Sequence, residues 1–84
     1  MYTTYIIYSE RLNQRYTGST RDLVARLDRH NRGASSYTAK GCPWRLVYRR
    51  DFPSRGEAMR HEQRIKKTGA HKFLASRNAA DASP

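Results

Sequence analysis

The chain has a single cysteine, Cys42, in 84 residues. That excludes an internal disulfide and leaves no cysteine pair for a zinc site. Cys42 sits between Gly41 and Pro43 and reads as a loop thiol. Acidic side chains are also scarce: seven Asp and Glu stand against seventeen Lys and Arg, a formal net charge of +10. Such a field draws polyanions, chiefly nucleic acid. No apolar run is long enough for a signal peptide or a membrane span, so the expected location is the cytosol. A basic amphipathic stretch with large apolar residues opposite is missing too, which argues against attachment to an acidic membrane surface. Length sets a further bound. A chain this short buries only ~60–65% of the surface its unfolded form exposes, so its core must be one layer of sheet packed on a few helices.

What the chain does have is arginine, thirteen of the seventeen basic residues. The planar guanidinium fork matches phosphate better than the ammonium of lysine does. Charge alone does not separate a protein that binds nucleic acid from one that cuts it.

Residues 2–8 are aromatic, β-branched and Thr, and the pattern predicts a central strand. Residues 15–19, with Gly18 near the end, predict a second strand, and 9–14 a hairpin loop. Helical spacing takes over at 20–32, where Leu23, Val24 and Leu27 share a face, Ser19 or Thr20 can cap the start and Gly33 is a natural stop. Residues 34–43 are small, polar and basic and read as a loop. A third strand is expected over 44–52, with Trp44, Leu46 and Tyr48 alternating toward one side. Ser54 then opens a second long helix, and Glu57 completes a capping box. Ala58, Met59 and Ile65 supply its apolar face, and it ends by Gly69. A short third helix is expected over 71–78 around Phe73 and Leu74, and a frayed tail over 79–84. The reading is one domain over 1–78. Its class is α+β, a three-stranded antiparallel sheet flanked by helices in the order β-β-α-β-α, with the short helix following.

Five residues in this frame can carry chemistry. Tyr5 and Tyr16 pair directly if a four-residue loop over 9–12 closes the hairpin, and their rings then share a face; two adjacent phenols suit packing as well as chemistry. Gly18 lets another group approach the backbone, or simply ends a strand. Arg26 and His30 stack one turn apart on the first helix. They can hold a phosphate and accept a proton near neutral pH, or form a surface basic pair. Glu62 shares a helix face with Ala58 and Ile65, toward the sheet. A half-buried carboxylate is costly unless paired, so it is either a salt-bridge partner for Arg26 or a magnesium ligand.

In order and spacing these residues resemble the GIY-YIG nuclease superfamily, in its compact single-domain bacterial form. Thr3-Thr4-Tyr5 stands where the first triplet belongs and Tyr16-Thr17-Gly18 where the second does. Arg26 and His30 follow in Leu23-Val24-Ala25-Arg26-Leu27-Asp28-Arg29-His30-Asn31, and Glu62 in Glu57-Ala58-Met59-Arg60-His61-Glu62. Tyr5-Ile6-Ile7-Tyr8-Ser9 and Pro43-Trp44-Arg45-Leu46-Val47-Tyr48 also look like the compact members and the related flap nucleases. The likeness covers residues 2–68. It departs where the first triplet lacks its Gly and Ile and where Thr17 replaces Ile. The family's Asn beyond the glutamate has one candidate, Asn78.

The resemblance implies an endonuclease that hydrolyses DNA phosphodiester bonds, selective for single strands or branched structures, in DNA repair or processing. It implies one divalent ion, magnesium or manganese, held by Glu62 at the scissile phosphate, with no small-molecule cofactor and no membrane partner. Tyr5 is then the general base, His30 takes its proton, Arg26 neutralises phosphoryl charge, and Tyr16 orients a phosphate oxygen or the water. Gly18, Arg29, Tyr37 and Lys40 are the expected DNA contacts. The competing reading is a basic nucleic-acid-binding module that keeps the fold without cutting. The intact set of five argues against it, since a decayed copy would be expected to lose the acid first.

Overall fold

The computed structural model describes residues 1–33 and 36–81, with side chains described for 1–33 and 38–76. Seven elements follow in order: β1 (Tyr2–Ser9), β2 (Gln14–Thr20), α1 (Leu23–Asn31), α2 (Ser36–Ala39), β3 (Trp44–Phe52), α3 (Arg55–Thr68) and α4 (Ala70–Asp81). The strands form one antiparallel sheet in the order β2-β1-β3. This is the expected α+β architecture.

β1 is the centre of the molecule because its residues are apolar or β-branched on both sides. Tyr5 and Ile7 join Leu23 and Trp44 on one face, with Tyr16, Leu27 and Cys42 packed around them. Ile6 joins Tyr48 and Ile65 on the other, under Ala70, Phe73 and Leu74. Ile6, Ile7 and Ile65 have no exposed surface, and each contributes about 1.5–3 kcal/mol by leaving water. The Thr4 hydroxyl, also fully buried, donates to the carbonyl of Ala58 at 2.7 Å and so ties α3 to the sheet. Among the described residues no helix is long and apolar enough to cross a membrane.

Several local expectations are corrected. In the hairpin Tyr5 stands opposite Gly18 and Tyr16 opposite Ile7, so Tyr5 and Tyr16 are diagonal neighbours, not a direct pair. The slip is by two residues, which preserves the face. The loop is Glu10 to Asn13, and Asn13 takes the left-handed conformation (φ 51°) that asparagine tolerates well.

On β3, Tyr48 pairs with Ile6 and Leu46 with Ile7, which leaves Val47 as an extra residue. This bulge turns the strand over. Trp44 therefore enters the core beside α1 and Tyr48 the core beside α3 and α4, where one shared side was expected.

α1 is capped by Asp22, whose carboxylate accepts from the amide of Ala25 at 3.1 Å. Ser19 and Thr20 are engaged elsewhere: Ser19 donates to the Ala58 carbonyl and Thr20 accepts from the Asp22 amide. Ser54 caps α3 as expected, accepting from the Glu57 amide at 3.3 Å while its hydroxyl donates to the Glu57 carboxylate at 2.9 Å. The expected loop over 34–43 contains α2, and α4 runs to Asp81, past the expected end at 78.

Candidate active site

Tyr5 projects from the central strand and its ring lies over Gly18 on β2. A Cβ at Gly18 would sit 2.7 Å from the Tyr5 hydroxyl oxygen. The missing side chain is therefore used by the tyrosine, and Gly18 is buried. Gly18 was expected as a DNA contact, and what the structure shows there is this contact with Tyr5. Gly18→Ala should displace the ring at a cost of about 1–3 kcal/mol, read as a fall in Tm. An unchanged Tm would show that the ring is not held by that gap.

Three rings then meet above β2. The centroids of Tyr5 and Tyr16 are 6.4 Å apart, those of Tyr5 and His30 6.1 Å, and those of Tyr16 and His30 5.0 Å. The Tyr5 hydroxyl is 3.1 Å from His30 Nε2, and His30 Nδ1 is 2.9 Å from the Thr38 hydroxyl. Thr38 has no exposed surface, and its carbonyl accepts from the Trp44 indole N–H at 2.7 Å. Sequence reasoning missed Thr38. Its side chain meets His30 only because the chain turns back after α1, and no periodic pattern marks that turn.

Electrostatics assigns the protons. Burial pushes the Tyr5 phenol up to about 12, helped by Tyr16 and Glu62, while the Arg26 guanidinium beside it pulls the other way. Burial, together with Arg26 and Arg29, holds His30 below its usual 6.5. At neutral pH the phenol keeps its proton and the imidazole is neutral. The Tyr5 O–H then donates to Nε2, and the Nδ1–H donates to Thr38.

Glu62 reaches the site from α3. Its side chain is 13% exposed, and it pairs with Lys66 at 2.7 Å, one turn along the same helix, where the sequence had suggested Arg26. The (i, i+4) spacing of Glu and Lys was the available signal. Lys66 is half exposed and can swing away at little cost, which frees the carboxylate for a cation. Among the described residues no three His, Cys, Asp or Glu lie together. A cation at Glu62 would thus take its other ligands from water and phosphate, which is how magnesium is usually held. The donor chemistry fits.

A cleft of about 330 Å³ is lined by Tyr16, Arg26, Arg29 and His30, with Tyr5 buried behind His30. Arg29, one of the expected DNA contacts, is thus part of this lining. Lys40 is exposed in the turn after α2 and is not part of this lining. The side chains of Tyr37 and Asn78 lie outside the described residues.

Residues 1–74 match the model of the GIY-YIG catalytic domain. The chain belongs to the GIY-YIG family. It is also similar to UPF0213 proteins of Staphylococcus aureus strains Mu50, N315 and MW2. Each is 40% identical over 52 residues, covering 61% of this chain and 63% of the relative. The chain thus spans less than two thirds of the length of these relatives. No solved structure matches. Membership places the chain in a nuclease superfamily whose members generally use divalent metals.

Proposed function

We propose that this GIY-YIG domain is a divalent-metal-dependent endonuclease that hydrolyses DNA phosphodiester bonds, with single-strand or branched DNA as substrate, in DNA repair or processing. It acts as one domain in the cytosol, where a free thiol such as Cys42 stays reduced. One observation carries the reading: a buried phenol hydrogen-bonded to a neutral imidazole, Tyr5 to His30 at 3.1 Å. Core packing needs the tyrosine ring but not a second titratable ring on its oxygen.

The residues divide the work as follows. Tyr5 holds the attacking water, and its oxygen takes the water proton as its own proton passes to His30 Nε2. The new bond forms between the water oxygen and phosphorus. The bond to the 3′ oxygen breaks, and that oxygen gains a proton from solvent. Arg26 and Arg29 face the phosphoryl oxygens, where fixed positive charge stabilises the transition state. Tyr16 orients a phosphate oxygen. Thr38 keeps the imidazole in the tautomer that can accept. When bound at Glu62, magnesium or manganese would supply further charge neutralisation at the phosphate and the leaving oxygen.

Burial holds the Tyr5 phenol up at about 12 and His30 below its usual 6.5, so proton transfer between them in the resting site is uphill. A cation beside the phenol lowers that gap, which gives a physical reason for metal dependence. The test is to incubate the protein with labelled single-stranded, flap, junction and duplex DNA, with magnesium and with chelator. Cutting only with magnesium, strongest on single strands or branches, is expected. Binding without cutting of any substrate would leave the non-catalytic module as the answer.

A further inference from the structure

Tyr8 lies three residues past Tyr5 on β1 and so faces the opposite side of the sheet. The register sets Arg15 on β2 and Arg45 on β3 directly beside it. Both guanidinium groups lie against its ring, with Cζ 4.8 Å and 5.5 Å from the centroid. The Tyr8 hydroxyl donates to the Asn13 side chain at 2.8 Å, which fixes the ring to the hairpin turn. Cross-strand packing of this kind stabilises a sheet. Stacking on the ring takes one face of each guanidinium and leaves its N–H edge to meet another partner. The Arg45 side chain is 65% exposed, and its ion pair with exposed Glu10 is long at 3.5 Å.

These groups line a cleft of about 400 Å³, closed on its other side by His71 from α4 and by the apolar Val47 and Leu74. No carboxylate is among its lining residues. Two guanidinium groups can hold a phosphate, and the apolar wall or a guanidinium plane can take a base. A bare anion would have no use for the apolar wall; a nucleotide would. Nor is the cleft isolated. Arg15 also lines a cleft of about 340 Å³ with Tyr16, Thr17, Lys66 and Ala70. Tyr16 in turn lines the cleft of Arg26, Arg29 and His30. The three form a series joined through Arg15 and Tyr16, which are neighbours on the edge strand with side chains on opposite faces.

We propose that Tyr8, Arg15, Arg45 and His71 form a second nucleotide-binding site, which holds the substrate DNA strand away from the scissile bond. The strand reaches it by passing around the β2 edge. Tyr5 and Tyr8 are separated by ~10 Å along β1, so at least about three stacked nucleotides at ~3.4 Å each separate the two sites. The inference rests on the nuclease reading only in that the strand held is the one cut.

The test is a binding titration of the wild-type chain, in chelator, with a labelled DNA strand of about twelve nucleotides over a range of salt. Arg15→Gln with Arg45→Gln should weaken binding at least tenfold. The salt slope should shrink by about 1.4, since each lost phosphate contact on a single strand removes ~0.7. Arg55→Gln with Arg60→Gln, two exposed arginines on α3 outside these clefts, removes the same charge and should weaken binding no more than about threefold. Circular dichroism confirms that each pair folds. Equal losses in the two pairs, no loss in the first, or no binding by the parent would overturn the proposal. Metal-dependent cutting is not read in this titration, so the nuclease assignment stands or falls separately.

Discussion

Glu62→Gln should remove cleavage while leaving a folded protein that still binds DNA. The amide keeps the shape of the carboxylate but gives up the charge that would hold a divalent cation. Such a cation stabilises a phosphoryl transition state by several kcal/mol. At about 1.36 kcal/mol for each factor of ten, the loss is roughly a thousandfold or more. The fold should survive because the bond given up is a helical Glu–Lys pair with a half-exposed lysine, worth only ~0.3–0.5 kcal/mol. DNA affinity should hold or rise, since a negative charge near the phosphate is gone. A second readout does not depend on activity. Glu62 is one of the groups that raise the Tyr5 phenol, so neutralising it should move the phenolate absorbance transition to lower pH. A folded Glu62→Gln protein that cuts at nearly the wild-type rate would remove Glu62 from the site and with it the case for a metal there.

The sequence was most legible where a residue's chemistry forces its place. β1 reads as a central strand because its side chains are apolar or β-branched on both faces, and Ser54, Gly33 and Gly69 mark helix ends through backbone needs of their own. It was least legible where one residue more or less changes the geometry. The hairpin register slipped by two because a loop over 9–12 and one over 10–13 close equally well on paper. Packing decides between them, since only Gly18 opposite Tyr5 leaves room for the ring. The extra residue at Val47 could not be read from alternation, which simply continues through it. The same division holds at the site. Spacing placed Tyr5, Tyr16, Arg26 and His30 on regular elements, the family resemblance singled them out, and the structure brings them together. Thr38 was missed because it reaches His30 through the turn after α1, and Lys66 because Arg26 is the more obvious cation for Glu62. Arg15 was passed over because one more arginine among thirteen carries no signal until neighbouring clefts are seen to share it.

Tyr5→Phe is the sharpest test of the proton path. The ring stays over Gly18, so the packing is kept, and what is lost is the hydrogen bond to His30 Nε2. Leaving that buried nitrogen unpaired costs about 1–3 kcal/mol of stability. The single-turnover rate should fall by ~10²–10⁴, the usual effect of removing a general base. Tyr16→Phe removes one orienting hydroxyl and should cost less, on the order of tenfold. The pH profile then separates a relay from a scaffold. His30 accepts a proton only when neutral, and its pKa lies below 6.5. The wild-type rate should therefore be flat near neutrality and fall as pH drops through the His30 pKa. His30→Ala should be slow and lack that acid-side fall. Thr38→Val keeps the shape of the positioning residue but takes away the acceptor for Nδ1–H, so it should slow the reaction and alter the same acid limb, and Thr38→Ser should restore both. Wild-type cutting by Tyr5→Phe with a dead Tyr16→Phe would reverse the two tyrosines. Indifference to both changes would make the ring cluster packing alone, and the proton path through His30 would be wrong.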